Sequence, residues 1–282
     1  MRIPLWLDAA WTGDDASRPA GGALADIVWG QYALFLSFRV KDDVLDRRGR
    51  DLRRLFVADL FLLESLRSFR RVAELDDRFW QFYLDCVRGT IEGAAEVGRL
   101  EAEPGGFRAE HLELHARVAG MAKVGVAAVC RLHRHEQDAE WLSRLQDRLA
   151  IADQIEDDLK DLKDDLRAGR YTWVGNELLA LRPGDRPSWR ECAGRLGEGL
   201  LRAERGAAIT DALRRTLAAA SDALPASAPP PLFDLVRRLS TAPDEIEESM
   251  HKTRVWWVLA QGLETPSPPK RPTNRPRSTS IA

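Results

Sequence analysis

Ile27, Val28, Ala33, Leu34, Leu36, Phe38, Val40, Val44 and Leu45 crowd one segment with little of the punctuation that a strand would need. A helix apolar nearly all round has to be wrapped by other helices, so this segment predicts the centre of a bundle. Its far end carries Asp42, Asp43 and Asp46. Amphipathic segments follow at 52–74, 77–100, 109–135 and 138–168, and then at 171–181, 188–205, 207–224, 231–240 and 243–262. Pro104-Gly105-Gly106, the run from Arg182 to Pro187 and the stretch from Pro225 to Pro231 read as the loops between them. The expectation is an all-α, single-domain helical bundle.

A chain of 282 residues, 44% of them hydrophobic, supports one large core and no second full domain. Residues 1–22 read as an irregular N-terminal arm, 23–264 as the helical domain and 265–282 as a disordered basic tail of Pro, Ser, Lys and Arg. Charges nearly cancel to a net −2, which gives no support to a nucleic-acid-binding surface. Cys86, Cys130 and Cys192 are widely spaced and form no CxxC, as expected of buried thiols in a reducing compartment. Nothing approaches the roughly 18 apolar residues of a membrane span, and charge and proline interrupt the start too early for a signal peptide. The expectation is a soluble, cytoplasmic protein.

Two acidic strings share a shape, Asp42-Asp43-Val44-Leu45-Asp46 and Asp157-Asp158-Leu159-Lys160-Asp161. Carboxylates three and four residues apart share a helix face and repel by a few tenths (~0.2–0.5) of a kcal/mol per pair, so a cation is expected between them. Around the second string Asp153, Asp157, Asp161 and Asp165 follow i+4 spacing. Mg²⁺ is the natural ion, because it takes hard oxygen ligands, keeps several waters and accepts substrate phosphates. A solvated acidic face is the plain alternative for either string alone.

His111 with His115, and His133 with His135, lack an acidic zinc motif and read as exposed helix histidines. No Ser or Cys nucleophile motif, no GxGxxG after a strand and no Walker loop is present, so hydrolysis through a nucleophile, dinucleotide chemistry and NTP hydrolysis have no support.

Gln154-Ile155-Glu156-Asp157-Asp158-Leu159-Lys160-Asp161 resembles the QxxDDxxD of trans-prenyl diphosphate synthases. Asp161 to Arg170 resembles the DxxxD and basic, glycine-containing turn of phytoene and squalene synthases. The chain from about residue 24 to 262 thus looks like a class I isoprenoid synthase, a superfamily that also holds the terpene cyclases. That resemblance implies a helical bundle with a central apolar cavity, Mg²⁺ as cofactor, a prenyl diphosphate as substrate and a homodimer. It further implies metal ligation by Asp42, Asp43, Asp46, Asp157, Asp158, Asp161 and Asp165, with Asp42, Asp43, Asp157 and Asp158 at the catalytic step. By the same resemblance Lys123, Gln154, Arg47 and Arg170 meet the diphosphate, with Arg48 beside Arg47.

Mg²⁺ with these cations would stabilise the leaving diphosphate, and an apolar wall would keep the allylic cation from water. Phe35 and Phe38, with Phe79, Trp80, Phe82 and Tyr83, are candidates for that wall, and ordinary core packing is the alternative for each. Lys252, Arg254 and the Trp256-Trp257 pair stand where the last helix could close the bundle or reach the phosphates. No GGKRxRP-like element precedes the first string, which bears against standard head-to-tail elongation, and no NDxxSxxxE is present, which bears against a cyclase. The expected function is a prenyltransferase that elongates or joins prenyl chains. A class I terpene cyclase and a non-catalytic interaction subunit stay open beside it.

Overall fold

The computed structural model describes residues 3–12, 21–46 and 51–262. Every regular element among them is helical: α1 (Ile3–Thr12), α2 (Gly21–Asp46), α3 (Arg54–Phe69), α4 (Asp77–Glu101), α5 (Glu113–Val118), α6 (Ala122–Leu132), α7 (Ala139–Ala168), α8 (Trp173–Leu179), α9 (Trp189–Leu201), α10 (Ala203–Asp222), α11 (Pro230–Leu239) and α12 (Ala242–Gly262). Three 3₁₀ turns, Ala109–His111, Ala119–Met121 and Glu136–Asp138, tighten the connections around α5 to α7.

Local chemistry sets many of the boundaries. Asp76 caps α4 by accepting from the Phe79 amide at 3.0 Å, and Ser188 with Glu191 forms a reciprocal capping box on α9. At the other end of α7, Gly169 takes φ 76°, the left-handed conformation that stops a helix at little cost when no Cβ is present.

The centre of the bundle is α7. It packs against α5, α6, α8, α9 and α10 and joins two core layers, giving Leu142 and Leu145 to one and Ile151 and Ile155 to the other. The first layer holds Leu7, Ile27, Leu34, Phe69, Phe79 and Tyr83; the second holds Phe107, Trp173, Leu178, Ile209 and Leu213. The expectation of α2 as the wrapped helix is corrected here. It forms a hairpin with α3 and touches α6, but Trp29, Tyr32 and Phe35 stay exposed among the described residues.

The N-terminal arm also differs from its irregular reading. Residues 3–12 form α1, which docks on α6 and α11. Leu7 is fully buried, the Asp8 carboxylate accepts from His133 Nε2 at 3.0 Å, and Trp11 stacks on His135 at 4.3 Å. His133 is therefore a buried partner of α1 rather than an exposed helix histidine. His115 is buried as well, stacked on Phe107 at 5.1 Å, while His111 accepts from the Arg108 amide at the start of its turn.

One end of the molecule is pinned by a single amide. The buried Asn176 accepts from the Gly105 amide at 2.9 Å and donates to the carbonyls of Phe107 and Tyr171 at 3.0 and 2.9 Å. Gly105, at φ 71°, sits where a Cβ would collide with the backbone of Arg182. The three cysteines are buried and unpaired. No helix among the described residues is long and apolar enough to cross a membrane. The basic tail at 265–282 lies outside the described residues.

Candidate functional site

A cleft of about 540 Å³ opens between α1, α2, α7 and α11, with the Ala119–Ala122 turn along one side. Gln31 and Phe35 on α2 face Leu149, Ala150, Asp153 and Glu156 on α7, and Leu235 and Leu239 of α11 add to the apolar wall. Gln31 is held rigid: its Nε2 donates to the Met121 carbonyl at 3.1 Å and its Oε1 accepts from the Gly125 amide at 2.6 Å. Gly125 permits that approach, since a Cβ there would lie 2.9 Å from Gln31 Oε1. Neither Gln31 nor Gly125 stands out in sequence, where both read as helix interior.

The polar end of the cleft belongs to Asp153 and Glu156. Solvent reaches Asp153, yet the crowding on its cleft side and the Asp157 charge one turn on raise its pKa above the usual aspartate value. Lys160 pairs with Asp157 at 3.1 Å and with Glu156 at 3.6 Å. In sequence Asp153 and Glu156 belong to the same acidic run, but the expected metal ligands are Asp157, Asp158, Asp161 and Asp165 beyond them and Asp42, Asp43 and Asp46 on α2.

The expected ligands are distributed over different surroundings. Asp157 and Asp161 are exposed, whereas Asp158 and Asp165 are buried. Four residues overshoot a helical turn by about 40°, so an i+4 stripe of four aspartates swings roughly 120° and ends in the core. Asp158 accepts from Gln154 Nε2 at 2.7 Å and is bonded by the Thr172 hydroxyl at the start of α8. Burial outweighs those two bonds and pushes its pKa up to about 7. Gln154 is thus engaged with Asp158, not aimed at the cleft. Asp165 bonds Arg170 Nη2 at 2.5 Å across the turn at Gly169, which makes this pair a strut for the link between α7 and α8.

At the end of α2, Asp42 and Asp43 lie 3.6 and 3.7 Å from Arg39, and neither lines the cleft. Asp42 stands two turns beyond Phe35 on the same helix. The side chains of Asp46, Arg254, Trp256 and Trp257, and all of Arg47 and Arg48, lie outside the described residues. Lys252 pairs with Glu248 at 2.7 Å.

Lys123 opens on a second cleft of about 290 Å³, between α4, α6 and α7, and pairs with Asp147 at 2.5 Å. Gln146 stands between the two clefts and bonds the Ala122 carbonyl. Cys130 lines the second cleft as an inert thiol whose pKa burial pushes up to about 12. Of the expected wall aromatics, Phe35 lines the first cleft, Phe79 and Phe82 the second, and Phe38, Phe79, Trp80 and Tyr83 pack in or against the core. Phe79 and Tyr83 surround Phe69 with ring centroids 5.5 and 5.9 Å away, so these aromatics are chiefly packing.

Among the described residues no three His, Cys, Asp or Glu side chains are grouped so as to hold a metal ion by themselves. Asp153 and Glu156 are nevertheless hard oxygen donors, and one or two carboxylates suffice for Mg²⁺ when phosphates and waters complete its shell. The chain matches no protein-family model and no curated protein sequence.

Proposed function

We propose that the protein is a Mg²⁺-dependent synthase that ionises an allylic prenyl diphosphate and transfers the prenyl group, elongating a prenyl chain or joining two. The observation that carries this reading is the first cleft, where an apolar wall meets two carboxylates. Its volume, about 540 Å³, falls within the roughly 300–1,000 Å³ of small-molecule sites.

In this reading Asp153 and Glu156 hold Mg²⁺, and Asp157, beside them, contributes charge from the rim. The ion would supply neutralisation of the departing diphosphate. The chain supplies the rest. Phe35, Leu149, Leu235 and Leu239 offer a prenyl tail a surface without nucleophiles, which keeps water from a cation. Gln31, tied to two backbone groups, fixes α2 against α6 so that this wall does not collapse.

The test uses the full chain with geranyl, farnesyl and geranylgeranyl diphosphates and Mg²⁺, with and without isopentenyl diphosphate, followed by mass spectrometry and a diphosphate assay. A longer prenyl product supports transfer, and a cyclic hydrocarbon moves the reading to a cyclase. Without any diphosphate release, and without thermal stabilisation by Mg²⁺ plus a diphosphate analogue, the enzyme reading fails.

A further inference from the structure

Helix α3 is inside out. The face it turns to α2 buries small residues, Ala58, Ser65 and Ser68, with Phe69 at the end, while its outward face carries Phe56, Leu60 and Leu63, 74%, 65% and 61% exposed. Leu52, in the turn before the helix, extends the same row. These residues stand at i, i+4, i+8 and i+11 and form one continuous stripe. Folding gains little from large side chains left in water, so a stripe of this kind marks a surface that is covered in use.

The charges around it identify the cover. Exposed arginines bracket the stripe, Arg53 and Arg54 at one end and Arg67 and Arg70 at the other. Arg53 shares its charge with Asp51 at 2.9 Å and Arg67 with Glu64 at 3.7 Å, Glu64 also accepting from Trp29 at 3.3 Å, while Asp59 pairs with Lys41 at 3.2 Å, so these acids offset Arg53, Arg67 and Lys41 and the positive surplus at the two ends comes from Arg54 and Arg70. Trp29 and Tyr32 of α2 are exposed beside α3, with ring centroids 5.9 Å apart. A second copy is a poor occupant. An antiparallel pairing centred on Leu60 would set Arg53 of one copy against Arg67 of the other at both ends, and a parallel pairing would set like ends together.

We propose that the outward face of α3, with Trp29 and Tyr32, docks on an anionic lipid bilayer. Phe56, Leu60 and Leu63 enter the acyl boundary, the arginines at both ends meet lipid phosphates, and the two aromatic rings sit at headgroup level. The helix lies on the membrane and does not cross it. This inference stands apart from the proposed activity, because its readout involves no substrate.

Flotation of the full chain with vesicles tests it, using phosphatidylcholine alone and phosphatidylcholine mixed with phosphatidylglycerol. The expected result is binding to the mixed vesicles only, weakened by salt. The variant Phe56→Asp with Leu60→Asp should lose about tenfold or more in bound fraction, with helical content and thermal midpoint retained because both positions are exposed. Arg54→Gln with Arg70→Gln should reduce the dependence on phosphatidylglycerol. The proposal is overturned if the protein does not float, or if the Phe56/Leu60 variant floats as well as the parent, since another basic segment would then be responsible. It is equally overturned if light scattering finds a dimer that this variant converts to monomer.

Discussion

At the end of α2, Asp42 and Asp43 keep to the outside, 3.6 and 3.7 Å from Arg39, whereas in α7 the adjacent pair is divided, Asp157 outside and Asp158 buried among α7 and α8. Adjacent helical residues point about 100° apart, so two neighbouring carboxylates can share a surface only where the helix is covered over a narrow arc. The α2 end has α3 as its main neighbour, while α7 is wrapped from several sides. One pattern thus yields a surface ion cluster in one place and a buried polar link in the other.

The largest effect should come from the carboxylates that the cleft does use. Under the proposed function, Asp153→Asn with Glu156→Gln is expected to reduce diphosphate release about a thousandfold, roughly 4 kcal/mol of transition-state stabilisation. Asp158→Asn should stay within about tenfold of the parent in the same assay. The reverse order would break the contrast between cleft and core.

Next in size is the titration of Asp158. Its pKa is raised from 3.8 to about 7, so the folded state keeps a proton that the unfolded state releases. Its contribution is complete below pH 3.8 and is lost as pH rises to about 7, roughly 4 kcal/mol in all, and Asp158→Asn should remove that slope in denaturant melts. If Mg²⁺ with a diphosphate analogue abolishes the slope in the parent, Asp158 is a metal ligand after all.

His115 titrates in the opposite sense. Burial lowers its pKa from 6.5 to about 4, so its contribution is complete above pH 6.5 and is lost as pH falls through 4, roughly 3 kcal/mol. The two slopes oppose each other between pH 4 and 6.5, and His115→Phe should unmask the Asp158 slope in that window as a stability that falls with rising pH. The smallest effect is expected at the α2 end, where Arg39→Ala should change stability by no more than about half a kcal/mol, because exposed ion pairs contribute little.

The helix boundaries were largely legible, since breakers such as Pro104-Gly105-Gly106 and the Arg182 to Pro187 run stop helices by their own backbone chemistry. Helix α1 is the exception: the i, i+4, i+8 row of Ile3, Leu7 and Trp11 carries its signal, but the glycines and prolines after it favour an irregular arm, which is the expectation the structure overturns. What the pattern could not supply was the rotation of α7. Polar and apolar residues alternate around it, and its phase is set by Trp173 of α8 and Ile209 and Leu213 of α10, which are remote in sequence. Hence Asp153 and Glu156 reach the cleft while Asp158 turns inward. For the same reason the density of apolar residues in α2 identified a helix but not which side would stay open.

Asn176 has a consequence for how this protein can vary. One side-chain amide serves backbone groups from the turns at 105–107 and 171, while the crowding of Gly105 on Arg182 brings in a third loop. Lengthening any one of the three would detach it from a fitting that the others also depend on. Alignment gaps among descendants of this chain should therefore be scarce at these loops or arise in them together, and a single residue inserted after Gly106 should be tolerated far less well than one inserted between α10 and α11.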